Sequence, residues 1–166
     1  MTTGVTRRGA LAAFAGLTFA SIGLGESLAA PGLIVARIHV DVSRLRARRG
    51  DPTARWAAED LPGAVAGTLG ARFRRGAPGG AVLNVHVDDL ILAPMRTGQA
   101  PRIVDEISGF VALSGPGVAP RRAAIRAIAT FRPSARDVSM RVEANRRRVS
   151  TLVARFAAEI PRELRL

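Results

Sequence analysis

One segment alternates so regularly that it limits the folds open to this chain. From Leu33 to Val42, Ile34, Ala36, Ile38, Val40 and Val42 fall on one side, and Arg37, His39 and Asp41 on the other. Period two with β-branched residues specifies a half-buried strand, wet on one face and packed on the other. A second such run spans Ala81 to Leu92, with Leu83, Val85 and Val87 opposed by Asn84, His86 and Asp88. Glu106 to Ser114, interrupted by Gly109, and Arg122 to Phe131 read as two further strands. The turn-rich Gly115-Pro116-Gly117 and Pro120 lie between them, which suggests an antiparallel meander. Ala93 to Arg102, with two Pro and a Gly, reads as a loop.

Two segments carry the helical period instead. Leu61, Val65, Leu69 and Phe73 recur every fourth residue and make one apolar stripe. Asp51-Pro52 is expected to start a short helix carrying Trp56, and Asp60 offers a second cap before Leu61-Pro62. Gly63, Gly67 and Gly70 weaken this region, so packing must hold it. Ser43 to Gly50 reads as an Arg-rich exit from the first strand. Near the end, Val138, Met140 and Val142 fit either a short strand or the opening of a helix capped by Asp137. From Asn145 the helical period wins, with Val149, Leu152, Val153, Phe156 and Ile160 on one face and Pro161 breaking or ending it.

The expected fold is therefore α+β and two-layered. About four strands, mostly antiparallel, form one sheet, and two main helices pack on one of its faces, in the order β-α-β-β-β-α. This order resembles small envelope domains of the lipopolysaccharide-assembly lipoprotein type. The resemblance rests on the order of elements across the mature chain, and the lipid-acceptor Cys of that family is missing.

The first residues read differently. Arg7 and Arg8 precede a run from Gly9 to Gly25 without charge, and Ser27-Leu28-Ala29 supplies the small residues a signal peptidase reads. These features predict a cleaved signal peptide over 1–29 and a single domain over 30–166 in the periplasm or outside the cell. The uncharged run is too short and too rich in Ala and Gly for a comfortable membrane span, so none is expected after cleavage. Thr6-Arg7-Arg8-Gly9-Ala10-Leu11 resembles the twin-arginine export signal, with Ala10 standing where Phe is usual and Leu11 in place. That resemblance implies a substrate that folds before export, sometimes around a cofactor.

Composition excludes several functions. There is no Cys, so disulfides, thiolate nucleophiles, Cys-based metal sites and a lipid anchor are all ruled out. Ser108-Gly109 and Ser114-Gly115 lack the Gly-x-Ser-x-Gly elbow, and the glycine clusters carry neither a phosphate-loop Lys nor a dinucleotide fingerprint. No catalytic residue and no cofactor is assigned. Every one of the 25 basic residues is Arg. Without Arg7, Arg8 and Glu26, the domain keeps 23 Arg against 12 acidic residues. Such an excess fits attraction to anionic partners such as lipid head groups, lipopolysaccharide or nucleic acid, with an envelope protein as a further candidate partner. It equally fits a merely basic surface with no specific polyanion. One Trp and no Tyr leave little for bases to stack on, which argues against nucleic acid. Arg146, Arg147 and Arg148, with Arg141 and Arg155, offer cations for an anionic head group on the last helix. They spread around its circumference, which fits an ordinary solvated helix face better than one focused pocket.

The sharpest local feature is a repeated tripeptide, His39-Val40-Asp41 and His86-Val87-Asp88, which holds both histidines of the chain. In a strand, residues two apart share a face. If these strands were neighbours, His39, Asp41, His86 and Asp88 would converge, and imidazole with carboxylate suits zinc, manganese or iron. Ordinary polar cover of a strand's wet face gives the same pattern. The expected function is thus a non-enzymatic exported domain that binds or assembles an envelope component through a basic surface. A metal-binding protein and a structural subunit of an envelope complex are the alternatives.

Overall fold

The computed structural model describes residues 32–95 and 102–166. The leader expected over 1–29, the domain start at 30 and the middle of the 93–102 loop lie outside the described residues. Four strands form one sheet in the order β1-β2-β3-β4: β1 (Val35–Asp41), β2 (Ala81–Ile91), β3 (Ile103–Gly115) and β4 (Val118–Phe131). Four helices accompany them: α1 (Ser43–Arg49), α2 (Thr53–Leu69), α3 (Ala135–Ser139) and α4 (Arg141–Glu163). The architecture is the two-layer α+β fold that the sequence periods require.

The sheet is mixed. β2 pairs antiparallel with β3, and β3 with β4, but β1 runs parallel to β2. Between β1 and β2, α1 and α2 return the chain to the start of the sheet, as a parallel neighbour requires. β3 and β4 join through Pro116-Gly117, where Gly117 takes a φ of 67° that few other residues tolerate. Pro120 falls inside β4, which is permitted because β4 is an edge strand.

One face of the sheet is covered. Leu83, Val85, Val87, Ile107, Val111, Leu113 and Ile125 are buried there against Leu61 and Val65 of α2 and Val149, Leu152, Phe156 and Ile160 of α4. Full burial of each such side chain contributes roughly 1.5–3 kcal/mol. α2 packs on α4 and β1, while α4 reaches across β3 and β4.

Several local expectations change. The regular alternation of β1 breaks early: pairing with β2 shifts between Val35 and Arg37, so Val35 faces the core opposite Ala81. Alternation holds from Ile38 onward. The Arg-rich exit is a helix, α1, because burying Leu45 fixes the segment against β2. α2 runs unbroken through Asp60 and Pro62, with no second start. Pro62 lies on its exposed side. Phe73 leaves the stripe because Gly70, at a φ of 53°, ends the helix and a short 3-10 turn follows; Phe73 instead bridges to Val35. Residues 138–142 are not a strand: they hold the end of α3 and the start of α4, separated by a turn at Met140. It is Ser134 that caps α3, with Asp137 its reciprocal partner. The Asp137 amide donates to Ser134 Oγ at 3.2 Å, and the Ser134 amide donates to Asp137 Oδ2 at 2.9 Å. Pro161 lies inside α4, close to its end at Glu163.

Candidate functional site: the uncovered face of the sheet

With the helices on one side, the opposite face of the sheet carries no layer among the described residues. The strands deliver Arg37, His39 and Asp41 to it from β1, and Asn84 and His86 from β2. β3 adds Val104, Glu106 and Phe110, and β4 adds Arg122, Ala124, Arg126 and Ile128.

A row of contacts crosses all four strands. Asp41 pairs with His86 in register, and His86 Nδ1 lies 3.1 Å from Asp41 Oδ2. The Ser43 amide, which donates to Asp41 Oδ1 at 2.8 Å, is the first cause holding the Asp41 carboxyl below its ordinary value, and His86 adds to it. An ionised carboxylate only accepts, so His86 Nδ1 carries the proton in this contact. The His86 ring stacks on Phe110, with centroids 4.3 Å apart and planes 14° from parallel. Arg122 lies over the same Phe110 ring, 3.9 Å from its centroid. A guanidinium over an aromatic face is attracted by the ring quadrupole.

Next to this row, Arg126 forms a two-pronged bridge to Glu106, Nε to Oε1 at 2.7 Å and NH2 to Oε2 at 2.6 Å. That bridge is the main cause holding the Glu106 carboxyl below its usual range. Ile91 and Ile128 flank Glu106 in the same row, and Val104 lies beside them. These three apolar side chains are 41%, 44% and 53% exposed respectively. At the β1 side a cleft of about 610 Å³ is lined by Arg37, His39, Arg75 and Asn84 together with Ile38 and Phe73. Among the described residues, neither Arg37 nor Arg75 has a carboxylate within 4 Å, a condition they share with other arginines such as Arg122 and Arg155.

Of the four residues of the repeated tripeptide, the structure brings Asp41 and His86 together. β1 and β2 are neighbours, but their register sets His39 beside Asn84 and Asp41 beside His86. Asp88 accepts from Arg44 NH1 at 3.2 Å, and Asp89 is held by Arg49 at 2.6 and 3.0 Å. Arginines of α1 thus pair with both neighbouring carboxylates of β2. Among the described residues, no group of three or more His, Asp or Glu side chains is placed to hold one ion. Asp88 also belongs to a β-bulge, because the β2 register shifts between Val87 and Asp89 opposite Gly109 and Ser108.

The triple arginine of α4 serves the fold. Arg146 bridges to Glu59 at 2.7 Å and to Asp60 at 3.0 Å, and Arg147 bridges to Asp137 at 2.5 Å. Arg148 is buried against Asp105. Sequence reasoning did not single out Phe110, Arg37, Arg75, Arg122 or Arg126. Phe110 was the available signal, as a large apolar residue on the polar side of its strand.

No described helix is long and apolar enough to cross a membrane. No family model matches the chain, and no curated protein matches it by sequence. Among solved structures, the chain is similar to a minor lipoprotein from Acinetobacter baumannii, at 10% identity and a TM-score of 0.37 over 75% of this chain and 91% of that one. It is also similar to rare lipoprotein B from Shewanella oneidensis, at 17% identity and a TM-score of 0.34 over 76% of this chain and 94% of that one.

Proposed function

We propose that this chain is an exported, non-enzymatic domain that holds an anionic component of the cell envelope against the uncovered face of its sheet. The observation that carries this reading is the composition of that face. Cations without acidic partners, Arg37 and Arg75, line a cleft at one side, and Arg122 lies on the Phe110 ring. Exposed Ile91, Val104 and Ile128 form an apolar end. A head group bearing phosphate or carboxylate and a lipid chain has matching halves: charge for the arginines, apolar surface for the isoleucines and valine. The leader-like residues 1–29 support an envelope location.

The test is co-sedimentation of the full chain with vesicles of phosphatidylglycerol in phosphatidylcholine, and with phosphatidylcholine alone, at rising salt. Binding only to the anionic vesicles, weakening as salt screens the charges, supports the proposal. Equal binding to both vesicle types, or none to either, rejects it and leaves the structural-subunit alternative.

A further inference from the structure

We infer that β4 is the seam of a two-fold dimer, pairing edge to edge with the β4 of a second copy of this chain. The two edges of the sheet differ in how they are guarded. β1 is only seven residues long, is irregular after Val35, and is partly covered: the Arg74 amide donates to the Val35 carbonyl and the Gly76 amide to the Ala36 carbonyl, both at 3.0 Å. Short length, irregularity and cover are the usual protections against stray strand pairing. β4 has fourteen residues, and its ladder with β3 runs without a shift from Ile103↔Phe131 to Leu113↔Arg121. Among the described residues nothing pairs with its outer edge.

Charged side chains usually guard such an edge, but here they turn inward. Arg126 reaches back over β3 to Glu106, Arg122 lies on Phe110, and Arg121 NH1 donates to the Leu164 carbonyl at 2.8 Å. Much of the remaining strand is alanine, Ala119, Ala123, Ala124, Ala127 and Ala129, with no bulky side chain to shield the edge. The proline, Pro120, blunts only the start of the strand.

The strand can also face itself without a clash of like charges. An antiparallel pairing centred on Ile125 sets Ala124 opposite the second copy's Arg126, and Arg122 opposite its Ile128. On the covered side it sets Ala123 opposite Ala127, and Arg121 opposite Ala129. No arginine then faces an arginine. Moving the centre to Ala124 or to Arg126 sets Arg122 against Arg126, or Arg126 against itself, and like charges directly opposite are unfavourable. Such an isologous contact closes on itself and yields one continuous sheet, with the two uncovered faces side by side.

The test uses sedimentation equilibrium of the full chain and directed cross-linking, for which the absence of native Cys leaves a silent background. Directly opposed residues have Cα atoms about 4.5–5.5 Å apart, within disulfide reach. An equimolar mixture of Ala124→Cys and Arg126→Cys chains is expected to oxidise to covalent dimer several-fold more than either variant alone. In each single variant the two sulfurs are displaced along the strand, out of reach. A chain that stays monomeric at micromolar concentration overturns the inference, and so does cross-linking of equal yield in all three preparations. Circular dichroism of both variants confirms that they are folded, and sedimentation of the unsubstituted chain decides the matter alone if either is not.

Discussion

Arg148 of α4 reaches down to Asp105 of β3 and closes a two-pronged bridge inside the domain, with the residues only 3% and 1% exposed. Arg148 Nε donates to Asp105 Oδ2 at 2.7 Å, and its NH2 also donates to Asp105 Oδ1 and to the Ala93 carbonyl. The Ala93 amide donates to Asp105 Oδ1 at 3.0 Å, so the bridge ties the last helix to the end of β2 as well as to β3. Removing one partner strands the other charge in a dry site. Asp105→Ala should therefore cost about 3–5 kcal/mol in urea unfolding. Replacing both residues together, Asp105→Leu with Arg148→Met, should recover most of that loss. Equal losses in the single and double variants would contradict a paired role.

Two glycines should respond to alanine in opposite directions. A Cβ on Gly109 would sit 2.0 Å from the His86 carbonyl oxygen, at the bulge where β2 crowds β3. Backbone has to move to make room, so Gly109→Ala should destabilise by about 1–3 kcal/mol or more. Gly67, inside α2, has nothing within 4 Å of its would-be Cβ. Gly67→Ala should stabilise by up to about 1 kcal/mol. Thermal melting of the two variants checks both signs.

Acid should unfold the domain through its bridged carboxylates. Asp89 is held below its ordinary 3.8 chiefly by Arg49, and Asp41 below the same value chiefly by the Ser43 amide. Glu106 is held below 4.5 chiefly by Arg126. A carboxylate with a depressed folded pKa binds its proton more weakly when folded. Its contribution is therefore whole above the ordinary value and is lost as pH falls through the folded one. Urea midpoints should be level from neutral pH to about pH 5 and drop below about pH 4. Asp89→Asn should start lower and fall less steeply over that acid range.

Zinc or manganese should leave the melting temperature where it was. Asp41 and His86 meet, but Asp88 is occupied by Arg44 and His39 is set beside Asn84. A stoichiometric metal in chelator-free protein, with a raised melting temperature, would favour the metal-binding alternative at His39, Asp41, His86 and Asp88.

The fold was legible because its periods are strong. Alternation in Leu83-Val85-Val87 and the α4 stripe from Val149 to Ile160 each mark one buried face, and burial of those faces is what the structure shows. Pairing was less legible, since alternation is silent on whether a neighbour runs parallel or antiparallel. α1 escaped notice because a single buried residue, Leu45, holds it, and one residue has no period. Gly109 could be seen to interrupt β3, but its cause lies across the sheet at His86. The candidate face was hidden for a related reason. Arg37, Phe110 and Arg122 are far apart in sequence, and only the register of four strands sets them on one surface. The structural role of the triple arginine was not legible either, because its carboxylate partners sit on α2, α3 and β3.

Charge reversal on the two sides of the domain tests most directly whether the uncovered face holds the anionic partner. Arg37→Glu and Arg122→Glu each reverse a cation on that face, while Arg155→Glu reverses an exposed one on α4, across the sheet. Measured by sedimentation with phosphatidylglycerol vesicles at fixed salt, each face variant should bind roughly tenfold more weakly or worse. Arg155→Glu should bind nearly as the unsubstituted chain does. Equal losses for all three variants would mean that overall charge, and not this face, makes the contact.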